Sequence, residues 1–248
     1  MIPGQRDWAR LHRRARPLSP AAAAREGWLV LAPHPDDEVL GAGGLLATLA
    51  AAGARVATAF LTDGAASHVG APGWSARRIA GLRAREAGAA LRVLGVRARP
   101  VQLGWRDAAP VAAGSPAFET SVRRLVALCR RRRLTRIVTS WGDDPHCDHE
   151  AAAVLARAVA RRLHVPLRFY AVWGWTLPDL APRLARVRAS RLPVARWRGT
   201  QRRALGCHRS QLGGRIAGAR TRFVLPRAMR RLVDRPYLLL LEEPRDAP

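Results

Sequence analysis

One stretch near the N-terminus, residues 28–41, constrains the fold of this chain more than any other. Its first half, Trp28–Ala32, is a short apolar run typical of a buried strand. His34 precedes a proline, which favours extended backbone, so the strand is expected to reach His34, and Pro35 suits the first turn of a helix. The acidic residues at 36–38 favour the positive end of a helix dipole. The stretch therefore predicts a strand, a tight turn and a helix, with an imidazole and carboxylates in the turn.

The helix after this turn is predicted from a repeat of apolar residues. Val39, Ala42, Leu46 and Leu49 recur at helical spacing, and Gly53 supplies a C-cap. In an open α/β sheet, ligands bind beyond the carboxyl ends of the strands, which is where this turn lies. Acidic residues at a helix start are by themselves ordinary helix chemistry, so this segment alone leaves the question of function open.

A second cluster, Pro145-His-Cys-Asp-His-Glu150, favours a functional site. It follows a short apolar strand containing Ile137 and Val138, and it opens a helix. The apolar stripe of that helix is Ala152, Leu155, Val159 and Leu163. Two His/Asp clusters at the ends of two parallel strands can converge in space, so the sequence predicts a metal site.

The rest of the chain alternates strands with helices, which predicts βαβ units and a parallel sheet. Further strands are predicted at 55–62, 100–103, 167–175 and 237–241, with helices around the stripe Ala80, Ala84, Ala87, Leu91 and Leu94, around residues 122–129, and over 200–212. Residues 178–193 are predicted to be irregular. Residues 1–25 are predicted to form a basic, partly ordered leader, followed by one domain over 26–248.

Composition supports a globular chain with an excess of positive charge. The 248 residues are 48% hydrophobic, enough to bury a core. All 43 basic residues are arginines, against 18 acidic ones, which gives a net charge of +25. The arginines are spread along the chain, so much of this charge reflects composition, although it attracts anions such as phosphates, nucleic acid or an acidic membrane. The three cysteines have no paired spacing, which argues against disulfides.

The two clusters carry a specific resemblance. His34-Pro-Asp-Asp-Glu38 with His146-Cys-Asp-His149 resembles the PIG-L/LmbE-like family of zinc-dependent deacetylases, which act on N-acetylglucosaminyl compounds. Three further segments match: Arg83-Ala-Arg-Glu86, Leu103-Gly-Trp-Arg-Asp107 and His208-Arg-Ser-Gln211. Cys147 departs from the pattern, because the family usually has proline there. The fold that this resemblance implies is a single Rossmann-like α/β domain, with a mostly parallel sheet flanked by helices.

The resemblance implies roles for both clusters. His34, Asp37 and His149 would hold Zn²⁺ and leave a position open for water, with Fe²⁺ or another divalent ion as the alternative. Asp36 would be the general base. His146 would stabilise the oxyanion and protonate the leaving amine, with Asp148 orienting its imidazole.

Arg83 and Asp107 match family positions that contact the sugar. For Arg83 the alternative is a helix-surface arginine pairing with Glu86. Trp74 and Trp105 are candidates for stacking on a sugar ring, although a tryptophan is more often a partly buried hydrophobe. His208 and Gln211 are expected to be structural or to line the site.

The function these residues predict is removal of the acetyl group from an N-acetylglucosamine-type amino sugar, phosphate- or lipid-linked or otherwise conjugated. The alternatives are a metal-dependent phosphoester hydrolase and an arginine-rich protein that binds nucleic acid or an anionic surface. The last gives no reason for the His/Asp clusters, and no specific nucleic-acid partner is expected. A cytoplasmic location, peripheral to the inner face of the membrane, is expected because no apolar stretch suits a signal peptide or a membrane span. The oligomeric state is left open.

Overall fold

The computed structural model describes residues 4–243. In chain order, the strands are β1 (Arg16–Pro17), β2 (Trp28–Ala32), β3 (Val56–Thr62), β4 (His68–Val69), β5 (Val101–Trp105), β6 (Arg136–Ser140), β7 (Leu167–Tyr170), β8 (Arg188–Pro193), β9 (Thr221–Arg222) and β10 (Tyr237–Glu242). The helices are α1 (Gln5–Arg14), α2 (Pro20–Ala24), α3 (Asp37–Leu40), α4 (Gly43–Ala51), α5 (Ala76–Val93), α6 (Pro116–Arg132), α7 (Cys147–Leu163), α8 (Ala181–Leu184), α9 (Arg198–Cys207) and α10 (Arg227–Arg230). Short 3₁₀ turns lie at Ala65–Ser67, Trp173–Thr176, Ala195–Trp197 and Arg231–Asp234.

An eight-stranded sheet of order β1-β8-β10-β7-β6-β2-β3-β5 forms the centre of the fold. Every neighbouring pair in it is parallel except the two pairs that β10 makes with β7 and β8. Strand β2 is buried along its whole length because its side chains enter two apolar clusters, with Val30 on one face and Leu29 and Leu31 on the other. The predicted α/β fold with a mostly parallel sheet is confirmed.

The strand order creates a crevice between β2 and β6. From β2 the chain adds β3 and β5 on one side, then returns to add β6 and β7 on the other. The direction of winding therefore reverses between β2 and β6, and such switch points are where α/β sheets bind ligands. Residues 33–37 follow β2 and residues 141–149 follow β6, so both sequence clusters lie at this crevice.

The prediction of a single helix after the first turn is wrong, because two helices, α3 and α4, form there with a break at Gly41 and Ala42. The ring of Tyr170, from β7, packs directly on Gly41, where an added Cβ would lie 2.0 Å from a ring carbon. The apolar period continues across the break, so the sequence pattern does not reveal it. Gly53 follows the helix with a φ of 66°, one residue beyond the C-cap.

The inward face of α5 differs from the predicted alanine stripe. Ala80 and Ala84 are only half-buried, whereas Ile79 and Leu82 are buried. The charged residues Arg83 and Glu86 also face inward, which a search for apolar period alone misses.

The prediction that residues 178–193 are irregular is also wrong. They contain α8 and strand β8, which pairs with β10 and β1. Only Ala189 and Leu192 of β8 are buried, and arginines interrupt the alternation that would identify a strand.

The N-terminal stretch packs against the C-terminal part of the sheet. Trp8 and Leu11 of α1 are buried, and β1 extends the sheet beside β8. The Trp8 indole N–H donates to the carbonyl of Gly174 at 3.1 Å. Residues 4–24 thus share the main apolar cluster, while the division of the chain at residue 25 stays a prediction. Within residues 4–243, no helix is long and apolar enough to cross a membrane.

Candidate metal centre and its cavity

Three side chains from the two clusters converge beyond the ends of β2 and β6. Oδ2 of Asp37 lies 3.2 Å from Nδ1 of His34 and 3.2 Å from Nε2 of His149. Donors about 2.0–2.1 Å from a tetrahedral Zn²⁺ are about 3.3–3.4 Å apart. Both distances from Asp37 are close to this value, and the three donors, all buried, lie within 4.8 Å of one another, as the ligands of a single ion do.

The electrostatics of this cluster also favour a cation. Burial by itself would raise the pKa of Asp37, but His149 and His34 outweigh it and hold that pKa far below its ordinary range. Burial would lower the pKa of His149, yet Asp37 and Asp144 raise it to about 9. The buried Nε2 of His149 is 3.2 Å from Asp37 but makes no hydrogen bond with it or with any other group within residues 4–243. Positive charge is thus stabilised at the point where these donors meet, and they fit a divalent ion.

A carboxylate holds the other ring nitrogen of each histidine. Nδ1 of His149 lies 3.1 Å from Oδ2 of Asp144, and Nε2 of His34 lies 2.9 Å from Oδ2 of Asp148. Metal-binding histidines commonly have such partners, which fix the ring and raise its basicity. Sequence reasoning missed Asp144, although an acidic residue just after β6 and before the Pro145 motif was a usable signal.

The position of Asp148 differs from the one expected for it. Its Oδ2 contacts His34 and accepts the N–H of Ala108 at 2.9 Å, while Nδ1 of His146 is 4.0 Å away. That nitrogen instead accepts the Asp148 backbone N–H at 3.2 Å and caps α7. Burial lowers the pKa of His146, whose side chain borders the cavity. The catalytic roles given to His146 and Asp148 stay predictions.

Asp36 is held in a strained turn beside Arg83. Its φ of 148° is rarely adopted by residues other than glycine and costs about 1–3 kcal/mol. Oε2 of Glu38 accepts the Asp36 N–H at 2.8 Å, which supports this geometry. Burial raises the pKa of Asp36 to about 6, although Arg83 opposes the shift.

Arg83 is not a helix-surface residue paired with Glu86. Its guanidinium is buried and donates to the carbonyls of Pro35 and Gly64 at 2.7 and 3.0 Å, with Asp36 Oδ1 at 3.3 Å. Glu86 instead accepts from the N–H and hydroxyl of Ser210. Arg83 therefore ties together the turns that follow β2 and β3.

Asp107 lies at the site, but the tryptophans expected to stack on a sugar do not. Asp107 accepts the Ala66 N–H at 2.8 Å and lies 3.3 Å from Nε2 of His34. Burial would raise its pKa, but His34 lowers it to about 2. Trp105 is buried in the core and Trp74 packs beneath the guanidinium of Arg78, so neither lines the cavity.

The segment His208–Gln211, the third that matches the family, contacts the first cluster and the cavity. Nε2 of His208 lies 3.0 Å from Oε1 of Glu38, and both side chains are buried. Gln211 lines the cavity, in agreement with its expected position. Cys147 is exposed. Within residues 4–243, it belongs to no group of side chains that is spaced to hold a metal ion.

These residues border a cavity of about 340 Å³, within the range of small-molecule sites. One part of its wall is polar, and consists of His34, Asp36, Asp37, Ser67, Arg83, Asp107, His146 and Gln211. The other part is apolar, and consists of Leu40, Trp173, Phe223, Leu225 and Met229. Sequence reasoning missed this apolar wall because its members come from three separate segments.

Fold and site define a Rossmann-like α/β protein with a candidate His/Asp/His metal centre at the switch point of its sheet. The family model described as GlcNAc-PI de-N-acetylase, PIG-L, matches residues 29–160. The chain belongs to this family, as the two motifs predicted.

One similar protein is a 1D-myo-inositol 2-acetamido-2-deoxy-alpha-D-glucopyranoside deacetylase of Corynebacterium diphtheriae. It is 33% identical over 162 residues, which cover 56% of this chain and 54% of the relative. The chain thus matches about half the length of that relative.

Two solved structures show how widely the fold is used. A conserved protein of Thermus thermophilus is 27% identical, with a TM-score of 0.58 over 76% of this chain and 81% of its own. A 4-carboxy-2-hydroxymuconate hydratase of Pseudomonas putida has a TM-score of 0.61 at 17% identity, over 90% of this chain and 98% of its own. Because a hydratase has this fold, the activity must be argued from the site.

Proposed function

We propose that this protein is a metal-dependent hydrolase that removes the acetyl group from an N-acetylglucosamine-type amino sugar. The observation that carries the proposal is that Oδ2 of Asp37 lies 3.2 Å from a ring nitrogen of both His34 and His149, beside a cavity also lined by Asp36. Membership of the PIG-L family and the deacetylase relative support the same reaction.

The proposed chemistry divides between the three donors and the cavity wall. An ion held by His34, Asp37 and His149 would lower the pKa of water from about 15.7 toward about 7. Asp36 accepts the proton of the attacking water, a role suited to a carboxylate whose pKa burial raises to about 6. His146, half-buried at the cavity, donates a hydrogen bond to the amide oxygen and passes a proton to the leaving amine, and the proton that Asp36 took from water replaces it.

The ion proposed is Zn²⁺, with Fe²⁺ as the alternative, because two imidazoles and one carboxylate suit both. The carboxylates of Asp144 and Asp148 would accept from the other ring nitrogens of His149 and His34 and orient both rings toward it. We also retain, as part of the proposal, a cytoplasmic location with peripheral contact to an anionic membrane through the arginine-rich surface, which the net charge of +25 supports.

The proposal is tested by separating metal binding from proton transfer at the neighbouring aspartates. Asp37→Ala removes a proposed ligand, so we expect metal and acetate release to be lost together. Asp36→Ala removes only the proton acceptor, so the metal is retained while acetate release falls roughly 10²–10⁴-fold. His146→Ala is expected to behave like Asp36→Ala. The measurements are metal per chain after dialysis and acetate released from N-acetylglucosamine conjugates.

Asp63→Ala is the matched control, because Asp63 lies just after β3 at the same sheet edge but outside the cavity lining. It should keep both metal and activity. Loss of metal in Asp36→Ala with retention in Asp37→Ala would reverse the two roles. Phosphate release from a sugar phosphate without acetate release would favour the phosphoester hydrolase instead.

A further inference from the structure

We infer that the cavity takes an amino sugar with an uncharged, apolar aglycone, an aryl or alkyl group seated against the apolar part of its wall. This inference rests on the proposed function for the identity of the sugar. It selects among the phosphate-linked, lipid-linked and other conjugates that the sequence leaves open.

The first observation is the scarcity of free cations at the cavity. The chain contains 43 arginines, yet among residues 4–243 Arg83 is the only arginine that lines this cavity. Its guanidinium is already committed to two backbone carbonyls and to Asp36. Recognition of a phosphate needs arginine, lysine or backbone donors that are free to bind it. A phosphate group would therefore meet no available guanidinium here.

The second observation is the negative charge on the polar part of the wall. Asp36, Asp37 and Asp107 all border the cavity. One ion at the metal centre offsets charge next to Asp37, but a phosphate on the sugar would still lie near further carboxylates. Like charges at close range in a buried site are strongly repulsive. The wall therefore selects against an anionic carrier.

The third observation is the apolar wall itself. Trp173 and Phe223 are half-buried, with ring centroids 6.0 Å apart, and Leu40, Leu225 and Met229 complete the surface. Such a surface stabilises an apolar group that leaves water on binding, by roughly 0.8 kcal/mol per buried methylene.

The apolar wall is fixed to the rest of the site by backbone hydrogen bonds. The N–H of Trp173 donates to Asp144, that of Phe223 to the Ser67 carbonyl, and that of Leu225 to the Gln211 carbonyl. Asp144 also holds His149, so the position of Trp173 is fixed relative to the metal centre.

The inference is tested with three substrates that share one sugar: methyl and octyl β-N-acetylglucosaminides and N-acetylglucosamine 1-phosphate. We expect kcat/KM for acetate release to be at least roughly tenfold higher for the octyl than for the methyl glycoside, the gain of about two buried methylenes. The 1-phosphate should be the poorest of the three. Phe223→Ala and Trp173→Ala should each reduce the octyl-to-methyl ratio by several-fold, and Phe223→Arg should raise relative turnover of the 1-phosphate.

Trp197→Ala is the matched control, because Trp197 is half-buried and hydrogen-bonded to Thr48 but lies outside this cavity. It should leave the ratio unchanged. Equal kcat/KM for all three substrates, or preference for the 1-phosphate, would overturn the inference while leaving deacetylation intact.

A binding measurement separates this inference from the proposed reaction. Octyl β-glucoside has no amide, so its dissociation constant, from calorimetry on the same variants, reports binding in the cavity without the reaction. If no substrate releases acetate but octyl glucoside binds below its micellar concentration and Phe223→Ala weakens it, deacetylation fails and the apolar site stands. Absence of binding to the wild-type protein would overturn the apolar site as well.

Discussion

At the scale of single residues, Asp144 connects more of the site than any other carboxylate described. It is completely buried, holds Nδ1 of His149 at 3.1 Å and accepts the N–H groups of Val172, Trp173 and Gly174 at 2.7–3.1 Å. One side chain thus orients a proposed metal ligand and fixes the start of the apolar wall. These hydrogen bonds offset the cost of removing the carboxylate from water.

We therefore expect Asp144→Asn to weaken metal binding by roughly 10–100-fold, because the amide cannot accept from His149 as the carboxylate does. The measurement is competition for the metal with a chelator of known affinity. The matched control is Asp143→Asn at the preceding position, whose side chain is 48% exposed. Equal affinities in the two variants would mean that Asp144 only supports the local backbone.

At the scale of elements, Tyr170 of β7 packs against Gly41, the C-cap of α3. The ring of Tyr170 occupies the space that a Cβ on Gly41 would need, and its hydroxyl donates to the Leu31 carbonyl at 3.3 Å. The break between α3 and α4 lies at this contact.

Gly41→Ala should therefore destabilise the fold by about 1–3 kcal/mol or more, because the rigid ring of Tyr170 must move. Gly206→Ala is the matched control: it lies inside α9 with open space around it, and should stabilise by up to about 1 kcal/mol. Urea unfolding of both variants measures the two free energies. Equal effects would show that Tyr170 adapts without cost.

A second link between elements joins α3 to the end of α9 through Glu38 and His208. Burial would lower the pKa of His208, but Glu38 raises it above its ordinary 6.5. The stabilisation from this pair is therefore complete below pH 6.5 and is lost as the pH rises through the folded-state pKa.

We expect the free energy of unfolding of the wild type to exceed that of His208→Gln by more at about pH 6 than at about pH 9. Urea titrations at the two pH values give this difference. The same substitution in a Glu38→Gln background should show little of this pH dependence, because the partner of His208 is then uncharged. A difference that is constant with pH would contradict an ion pair at Glu38.

At the scale of the whole molecule, helix α1 of the N-terminal segment packs against the turn Trp173–Thr176 next to the site. Trp8 stacks on Trp175 with centroids 4.2 Å apart and donates to the Gly174 carbonyl. Gly174 in turn donates to Asp144, so α1 packs directly behind the turn that carries the apolar wall.

Trp8→Ala should accordingly lower the free energy of unfolding by about 3–5 kcal/mol, the cost of emptying a large buried site. Trp197→Ala, at a half-buried tryptophan, should cost less. Unfolding midpoints of these variants and of a chain that begins at residue 26 provide the measurement. An unchanged midpoint in the shortened chain would show that residues 1–25 do not stabilise the rest of the fold.

The sequence by itself determined the fold class and the location of the site. The apolar run Trp28–Ala32 was predicted as a strand and is β2, although the strand ends there and does not reach His34 as expected; the two His/Asp clusters were predicted to meet at one edge of a parallel sheet. These features are local: an apolar run sets a strand, and the residues that follow two parallel strands must share an edge.

The tertiary structure alone decided what surrounds the two clusters. It paired Asp148 with His34 and Asp144 with His149, placed Arg83 beneath the turn, and brought Trp173 and Phe223 together as the apolar wall. None of these contacts leaves a periodic signal, because each joins residues from different segments whose spacing in the chain is unrelated to their spacing in space. Which partner a buried carboxylate or ring finds depends on how the elements pack, and that information exists only after the chain has folded.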